Sequence, residues 1–459
     1  MRFLGIGRPV TRLHLVIAAV LALPAVCGAQ ESLPPPECRD DALISQRVMA
    51  YLEPLVRAGQ ISGTLLIARG DCVVFEQSFG MADFEHKIPN SPATLFAIAS
   101  VTKPLTELIA DALVKQGRLA MSDSLSKWIP DFPRGAYITL RHLREHRSGL
   151  PARDYEVKEE RKPRTAEEVV RVAATYQPAS EPGAEFLYGS AGYSVLARVL
   201  ELAGGKPYFE LIREIVFTPA GATHSIDATE QPLPAALAKS YFGSPSGPEP
   251  ASFGGYAFVV GSGSVYSSPH DLFRIVRALL DTVYGTGAKT ALVRWGPAAD
   301  AQHGDSITWG GLFDGYTTRV NYDPVTRLTF IFCGNLLTGA VRWVQIDVPR
   351  IAAGIEAPPR KVPTPLVADL PVAVRRNYEG PYQLGPRRTE DLRFVSPRLA
   401  RLGSMRLTPT SDTTFFSPQY YTQVGVVRAP DGSVKALTWE TIEGARGRWE
   451  RVSTQQNRR

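Results

Sequence analysis

The chain has 459 residues, of which 44% are hydrophobic and 21% are charged. These values are typical of a globular protein, and the length is sufficient for one large and one smaller domain. The sequence contains no internal repeat, no long low-complexity tract and no cluster of basic and aromatic residues. Despite the net charge of +6, we therefore expect neither a repeat architecture nor a nucleic-acid partner.

The N-terminal segment has the pattern of a secretory signal. Three arginines within the first twelve residues precede an apolar stretch over 13–26, and small residues end the pattern at Ala29. We predict a signal peptide over 1–29 that is cleaved, so that the protein is periplasmic or secreted. The apolar stretch is short for a membrane span, so we expect no transmembrane anchor. Lipoprotein anchoring at Cys27 is the less favoured alternative, because the residue before it is bulky.

Export would permit disulfide bonds. Cys38 precedes a predicted amphipathic helix over 42–58, and Cys72 lies in the turn after a predicted strand over 63–68. A helix that leads away and a strand that returns would bring the two cysteines close, so we predict a Cys38–Cys72 disulfide. Cys333 lies in an apolar strand pattern and is expected to be a buried free thiol.

Helix and strand patterns alternate up to about residue 355. Apolar spacing predicts helices over 42–58, 104–116, 139–145, 166–174, 191–203, 270–280 and 344–355. Strand patterns occupy 63–68, 72–77, 306–311, 317–322 and 328–333. Terminal helices, a split antiparallel sheet and a large helical insertion together predict an α+β fold, with a cleft where the insertion meets the sheet.

A proline-rich segment over 358–365 predicts a semi-rigid linker. It separates a main domain over 30–357 from a module over 366–453, in which short strand patterns and turns predict a small antiparallel β domain. Residues 360–459 contain 17 Lys and Arg against 9 Asp and Glu. Such a basic module can contact anionic cell-envelope material, although arginines dispersed over a strand-rich surface are the favoured interpretation.

A serine three residues before a lysine is the first catalytic candidate. Ser100 and Lys103 lie at the start of the helix predicted over 104–116, so their side chains share one face. A nearby base turns a serine hydroxyl into a nucleophile, and a lysine one turn away can be that base. N–H groups at a helix start favour an oxyanion. Because this spacing occurs by chance about once or twice in such a chain, its weight depends on further motifs.

Tyr188 and Ser190 form a second motif, just before the helix predicted over 191–203. A phenol is a poor base at neutral pH, but a nearby ammonium such as that of Lys103 favours its phenolate, and the two groups can exchange a proton as a coupled pair. A half-buried structural tyrosine is the alternative.

Trp309, Gly310 and Gly311 form a third motif on a predicted strand. Paired glycines in a strand indicate close approach of another backbone or a ligand. The edge of this strand could bind an acyl group, and the N–H of Leu312 could complete an oxyanion hole with the N–H of Ser100. A buried tryptophan beside a bulge is the alternative for this motif alone.

Together the three motifs resemble those of the serine β-lactamase and penicillin-recognising superfamily, in particular class C β-lactamases and family VIII carboxylesterases. The segments 79–83, 89–98, 143–151 and 261–272 resemble further parts of the same family, and the likeness covers about residues 40–355. The resemblance implies a β-lactamase-like fold without a cofactor or metal. It also implies an acyl-enzyme on Ser100, with Lys103 and Tyr188 as coupled general base and acid. His146 is expected to make structural hydrogen bonds.

Two positions depart from the family pattern. Ser190 stands where asparagine is usual, and a hydroxyl offers fewer hydrogen bonds to a substrate amide. Trp309 stands where a cation usually holds a substrate carboxylate, and losing such a contact costs about 1.5–3 kcal/mol. Trp-Gly-Gly resembles the carboxylesterase branch. We therefore predict hydrolysis of small-molecule carboxylic esters, with Ser190, Trp309, Gly310 and Gly311 at the substrate and Trp309 shaping the acyl or leaving-group pocket.

Two alternatives remain open. The first is a peptidase or amidase that acts on D-amino-acid or peptidoglycan-type substrates and has weak β-lactamase activity. The second is a penicillin-binding-like protein that retains the cleft without turnover. Retention of Ser100, Lys103 and Tyr188 favours an enzyme over the second alternative.

Overall fold

The computed structural model describes residues 41–151, 165–251, 255–281, 283–284, 306–363, 367–385, 388–403 and 405–452. The helices are α1 (Asp41–Arg57), α2 (Thr102–Lys115), α3 (Leu140–Arg144), α4 (Ala166–Ala173), α5 (Ala191–Gly204), α6 (Tyr208–Ile212), α7 (Thr218–Ala220), α8 (Pro269–Leu280), α9 (Ala340–Ala352) and α10 (Val372–Tyr378). A 3₁₀ turn spans Ala99–Val101, and a π-helical turn spans Arg213–Phe217.

The strands of the main domain are β1 (Gly63–Arg69), β2 (Cys72–Phe79), β3 (Met81–Asp83), β4 (Ile88–Pro89), β5 (Phe96–Ala97), β6 (Ile226–Asp227), β7 (Tyr241–Phe242), β8 (Glu249–Pro250), β9 (Val265–Ser267), β10 (Ile307–Phe313), β11 (Tyr316–Asp323), β12 (Leu328–Gly334) and β13 (Leu336–Leu337). The C-terminal strands are β14 (Gly380–Gly385), β15 (Arg388–Ser396), β16 (Leu399–Leu402), β17 (Met405–Pro409), β18 (Thr414–Ser417), β19 (Thr422–Arg428), β20 (Val434–Thr441) and β21 (Arg446–Arg451).

The main sheet is antiparallel, with the strand order β10-β11-β12-β1-β2. The early strand β1 pairs with the late strand β12, with Gly63 opposite Gly334. The segment between β2 and β10 supplies the helical insertion, and it leaves β10 as an edge strand. The predicted α+β fold, with its split sheet, is therefore confirmed.

Both faces of the sheet are covered by apolar packing. On the inner face, Leu66, Val320 and Ile331 join the core that is shared with the helical insertion. On the outer face, Leu65 and Phe332 join a second core that includes residues of α1 and α9. Successive strand residues point to opposite faces, so strands with two buried faces carry the continuous apolar runs seen in the sequence.

The helix behind the Ser-x-x-Lys motif begins two residues before the predicted start. α2 begins at Thr102 and follows directly on the 3₁₀ turn, so Ser100 lies in that turn and Lys103 in the first helical turn. Pro104 does not end the helix, because N–H groups of a first turn have no intrahelical acceptor and proline removes no helical bond there. The shared face of Ser100 and Lys103 is therefore maintained across the two helical segments.

The C-terminal module is a closed antiparallel barrel of β14 to β21, which confirms the predicted small β domain. Tyr382 on β14 lies opposite Arg451 on β21 and closes the barrel, so the strands have no free edge. Apolar side chains such as Leu392 and Leu437 fill its interior. Four arginines pair with acidic side chains of the module: Arg393 with Asp391, Arg398 with Asp369, Arg446 with Glu440 and Arg448 with Glu450. Part of its positive charge is thus balanced locally.

The predicted linker is attached to the main domain along α9. Its described part, 358–363, contains neither helix nor strand. The Arg360 guanidinium donates two hydrogen bonds to Asp347, at 2.8 and 3.1 Å, and its centre lies 5.4 Å from the Trp343 ring. These contacts fix the first half of the linker.

The barrel packs on the start of α9 through Tyr421. Its ring lies 4.9 Å from the Trp343 ring, and its hydroxyl donates to Gln60 Oε1 at 2.7 Å. A Cβ added to Gly339 would overlap the Tyr421 ring, so only glycine leaves room for this contact. The interface therefore joins the barrel to the core on the outer face of the main sheet.

Several N-terminal predictions fall outside the described residues, namely the signal peptide over 1–29, Cys27 and Cys38. Cys72 is disulfide-bonded. Cys333 is free and fully buried in β12, as expected, and burial raises the pKa of its thiol to about 12. Within the described ranges, no helix combines the length and the apolar character that a membrane crossing requires.

We predict that Gly339→Ala weakens the docking of the barrel on α9, because the added methyl group overlaps the Tyr421 ring. Overpacking of this kind costs about 1–3 kcal/mol. The full-length variant should show a lower thermal unfolding midpoint and faster proteolysis between the domains. Gly385→Ala is the matched control, because its Cβ would meet no atom within 4 Å. Equal behaviour of the two variants would refute this docking contact.

Candidate active site

Ser100 and Lys103 lie at the junction of the 3₁₀ turn and α2. The Lys103 Nζ donates to the Ser100 Oγ at 3.0 Å and to the backbone oxygen of Ser262 at 3.0 Å. Lys103 is fully buried, whereas Ser100 is partly exposed. The structure thus brings together the predicted nucleophile and its base, with the hydroxyl reachable from solvent and the amine shielded.

The second partner of Lys103 comes from a glycine-rich turn. Gly261 has a φ of +71°, and a Cβ there would lie 3.2 Å from the Tyr193 backbone oxygen, so glycine permits close packing on α5. The Gly261 N–H donates to Ser264 Oγ at 3.2 Å, and Ser264 in turn donates to the buried carboxyl group of Asp227. These contacts fix the turn that presents the Ser262 carbonyl. Its role was not evident from sequence, because a backbone acceptor has no side-chain signature.

Tyr188 lies on the loop before α5, as the sequence predicted. Its ring centroid is 5.1 Å from the Lys103 Nζ, and its side chain is 39% exposed. The phenol thus belongs to the same site as the buried amine and faces the solvent side. Ser190 follows at the N-terminal cap of α5 and is 7% exposed, so it offers little surface to a substrate.

His146 supports the Tyr188 loop from inside. Its Nδ1 accepts the Gly189 N–H at 3.4 Å, its backbone oxygen accepts the Leu187 N–H at 2.7 Å, and its ring lies 4.5 Å from the Tyr188 ring. Burial, followed by the charge of Lys103, lowers the pKa of His146 to about 3. His146 is therefore a neutral hydrogen-bonding residue at physiological pH, in agreement with the expectation from sequence.

The edge strand β10 lies directly against the turn that carries Ser100. A Cβ on Gly311 would overlap the Ile98 backbone oxygen and lie 3.2 Å from the Ala99 Cβ. Ala99 has a φ of +49°, which is uncommon for a non-glycine residue. Leu312, the next strand residue, is 50% exposed. The strand residue directly before Leu312 thus contacts the Ser100 turn, and the Leu312 N–H stays a prediction as the second oxyanion donor.

The structure corrects the predicted position of the Trp309 side chain. Trp309 is fully buried in the inner core and therefore offers no accessible surface to a substrate. Among the described residues, its indole N–H has no hydrogen-bond partner. The reason is that successive residues of a strand point to opposite faces of the sheet. Trp309 and Gly311 point to the face that the helical insertion covers, while Gly310 points to the other face, towards Arg319.

One group of described side chains has the composition of a metal site, namely Asp83, Glu85 and His86. The ammonium of Lys239 contacts Asp83 at 2.9 Å and Glu85 at 2.7 Å. Because this cation already balances the carboxylates, the group does not make a favourable metal site.

The sequence profile of the Beta-lactamase family matches residues 48–351, which include Ser100, Lys103, Tyr188 and the β10 glycines. The profile covers more than half of the chain. The chain belongs to the Beta-lactamase family.

Relatives of this Beta-lactamase-family chain include hydrolases and penicillin-binding proteins. PbpX of Bacillus subtilis, assigned to the penicillin-binding proteins, is 30% identical over 243 residues, which are 52% of this chain and 58% of PbpX. The structure of EstCE1, a hydrolase with promiscuous acyltransferase activity, is 26% identical with a TM-score of 0.53 and covers 64% of this chain and 94% of its own. The chain spans about half the length of the curated relatives it matches.

The fold of most of the chain has a counterpart among solved structures. SurE shares 20% identity and a TM-score of 0.58 with this chain, and the similarity covers 90% of this chain and 100% of SurE. At this identity the likeness concerns the fold alone.

Gly311→Ala is expected to disrupt the site, because its Cβ overlaps the Ile98 carbonyl oxygen and forces β10 away from the Ser100 turn. We expect the rate at which a fluorophosphonate labels the protein to fall at least about tenfold, corresponding to a loss of about 1.4 kcal/mol. Gly310→Ala is the neighbouring control, since its Cβ would lie 3.6 Å from the Arg319 guanidinium, an ordinary contact. Equal labelling of both variants would contradict the close approach.

Proposed function

We propose that the protein is an exported serine hydrolase that forms an acyl-enzyme on Ser100. The observation that supports this most strongly is the buried Lys103 amine at 3.0 Å from the Ser100 Oγ. In its neutral form, this amine accepts the hydroxyl proton while the Oγ attacks a substrate carbonyl carbon. The Tyr188 phenol lies beside the amine and is accessible to solvent, so it can pass a proton to the leaving oxygen.

The tetrahedral intermediate needs donors for its oxyanion. The N–H of Ser100 lies at the start of a helical segment, and the N–H of Leu312 belongs to the edge strand that Gly311 holds against the same turn. Two backbone donors of this kind are fixed before the substrate arrives and therefore stabilise the developing charge without reorganisation. Collapse of the intermediate expels the alcohol, and a water molecule then hydrolyses the Ser100 ester by the reverse proton transfers.

Carboxylic esters are the substrate class we favour. Trp309 is neutral and buried, so it supplies no cation for a substrate carboxylate at the position where this family usually has lysine or histidine. Neutral esters need no such contact. The similarity to EstCE1, a hydrolase with promiscuous acyltransferase activity, supports acyl transfer as the reaction. The similarity to PbpX favours the second candidate, a peptidase or amidase acting on D-amino-acid or peptidoglycan-type substrates.

Export is supported by two independent features. The first is the signal-like sequence over 1–29. The second is the disulfide at Cys72, because stable disulfides form in oxidising compartments and are rare in the cytosol.

Contact of the basic barrel with anionic envelope material is a separate proposal. It is tested by whether salt releases the protein from cell-envelope fractions.

Ser100→Ala is expected to abolish both fluorophosphonate labelling and ester turnover, because the attacking oxygen is removed. Lys103→Met preserves the length of the side chain but removes the base, and we expect labelling to slow by about 10²–10⁴-fold. Ser246→Ala, at an exposed loop serine, is the control and should behave as the wild type. Persistent labelling of Ser100→Ala would refute the assignment of the nucleophile.

A substrate panel separates the two enzyme candidates. We expect turnover of p-nitrophenyl butyrate to exceed that of nitrocefin and of a D-Ala-D-Ala peptide, because the site provides no carboxylate-binding cation at position 309. The comparison uses kcat/KM of the wild type, with Ser100→Ala as the blank. Peptide turnover in the absence of ester turnover would overturn the ester assignment in favour of the peptidase. Labelling without turnover of any substrate would favour a binding protein.

A further inference from the structure

A buried polar network lies directly behind Lys103. Glu107 stands one turn further along α2 and is only 3% exposed. Its Oε2 accepts two hydrogen bonds from the Arg144 guanidinium, at 3.1 and 2.9 Å. Its Oε1 lies 2.5 Å from the hydroxyl oxygen of Tyr193. The Tyr193 ring centroid is in turn 5.8 Å from the Lys103 Nζ, so this ring connects the network to the amine.

The Tyr193 hydroxyl carries one proton and lies within hydrogen-bond distance of two oxygen atoms. The phenol oxygen lies 2.5 Å from Glu107 Oε1 and 3.0 Å from the Arg144 backbone oxygen. A phenol donates one hydrogen bond, and a carbonyl oxygen only accepts. If the phenol donated to an ionised Glu107, the carbonyl would face the phenol oxygen with no proton between them. A protonated Glu107 satisfies all three oxygens: the carboxyl donates to the phenol, and the phenol donates to the carbonyl.

We propose that Glu107 is a neutral carboxylic acid in the working enzyme and is a positioning residue for Lys103. This inference rests on the proposed function. The carboxyl group holds the Tyr193 ring beside the amine. Because it is uncharged, it places no negative charge in the network next to the amine that must accept the Ser100 proton.

The surrounding charges agree with a neutral Glu107. Arg144 also donates to Asp111, at 2.7 Å, and the Asp111 side chain is 24% exposed, so this carboxylate can balance the guanidinium. Burial raises the pKa of Glu107 to about 7, and the charge of Asp111 adds to the rise. Arg144 and the Tyr193 hydrogen bond act in the opposite direction but do not cancel the effect of burial.

Two further titratable groups lie on the same side of the network. His146 has its ring 5.1 Å from the Tyr193 ring and stays neutral above a pKa of about 3. Lys103 is the other group, with its Nζ 5.8 Å from the Tyr193 ring centroid, so ionisation of Glu107 would add a negative charge to the network next to this amine. The activity of Ser100 should therefore be sensitive to the charge of a residue that touches neither the nucleophile nor the substrate.

Replacement of Glu107 tests this assignment through Ser100 labelling. Glu107→Gln retains a donor for Tyr193 and an acceptor for Arg144 without a charge, so the fluorophosphonate labelling rate at pH 6 should stay within about threefold of the wild type. Glu107→Ala removes one hydrogen-bond partner of Tyr193 and one of Arg144, and it should slow labelling at least about tenfold. A glutamine variant as impaired as the alanine variant would overturn the proposal, since it would show that the negative charge is needed.

The pH dependence of stability gives a readout that does not depend on catalysis. Between pH 4.5, the ordinary pKa of a glutamate, and about 7, the folded protein keeps a proton that the unfolded chain releases. The free energy of unfolding of the wild type should therefore fall with rising pH across this window, relative to Glu107→Gln, and level off above it. Glu53→Gln is the control: it removes a carboxyl group from an exposed helical position and should retain the slope.

The outcomes of the two measurements are separable. A wild-type and Glu107→Gln difference that does not change with pH would overturn the neutral carboxyl. If the stability slope is present but no variant, including the wild type, is labelled at Ser100, the hydrolase proposal fails while the protonation of Glu107 stands.

Discussion

The main domain depends on a lysine amine that is buried within hydrogen-bond distance of a serine hydroxyl. Removing a cation from water costs several kcal/mol unless hydrogen bonds and nearby dipoles replace the solvent. For Lys103 the replacements are the Ser100 hydroxyl, the Ser262 carbonyl and the faces of two tyrosine rings. Of these groups, only Ser100 is close to Lys103 in the sequence, in the 3₁₀ turn that leads into α2. The helical insertion is what brings the other three to the amine.

A second constraint is the close approach of an edge strand to the Ser100 turn. Gly311 permits it, since any side chain there would overlap the Ile98 carbonyl. Ala99 contributes an uncommon left-handed backbone conformation at the start of the same turn. Strained residues of this kind persist where the surrounding packing fixes them, and they cluster at functional sites. The apolar packing on the inner face of the sheet thus stabilises the fold enough to offset the unfavourable backbone conformation of Ala99.

The polar groups around the amine share a further property, which is that burial opposes their charge. His146 is held neutral by burial and by the adjacent lysine, and its hydrogen bond to Gly189 orders the loop of Tyr188. Burial also favours the neutral form of Glu107. The guanidinium of Arg144 also forms an ion pair with Asp111, whose side chain is more exposed than that of Glu107. In the described part of the chain, the hydrogen bonds of the Lys103 amine go to a hydroxyl group and a backbone carbonyl.

Local order along the chain was predictable from sequence because it depends on short spacings. The α+β element pattern, the shared face of Ser100 and Lys103, the loop position of Tyr188 and the β-rich C-terminal module all follow from periodicity and turn residues. The structure brings Ser100, Lys103 and Tyr188 together, whereas Ser190 is 7% exposed and the position predicted for the Trp309 side chain is wrong, because that side chain is buried. That error arose because a tryptophan on an edge strand points inward or outward according to which face the rest of the chain covers.

The sequence by itself thus determined which residues could perform acyl transfer, since a nucleophile and a base three residues apart on a helix meet through local geometry alone. Only the tertiary structure decided what surrounds them: the Ser262 carbonyl, the Tyr193–Glu107 contact and the docking of Tyr421 on Gly339. Each of these joins segments separated by more than 80 residues, as the Tyr193–Glu107 separation of 86 illustrates. Such contacts form because buried polar groups need hydrogen-bond partners. The partners become neighbours only when distant segments of the chain pack together.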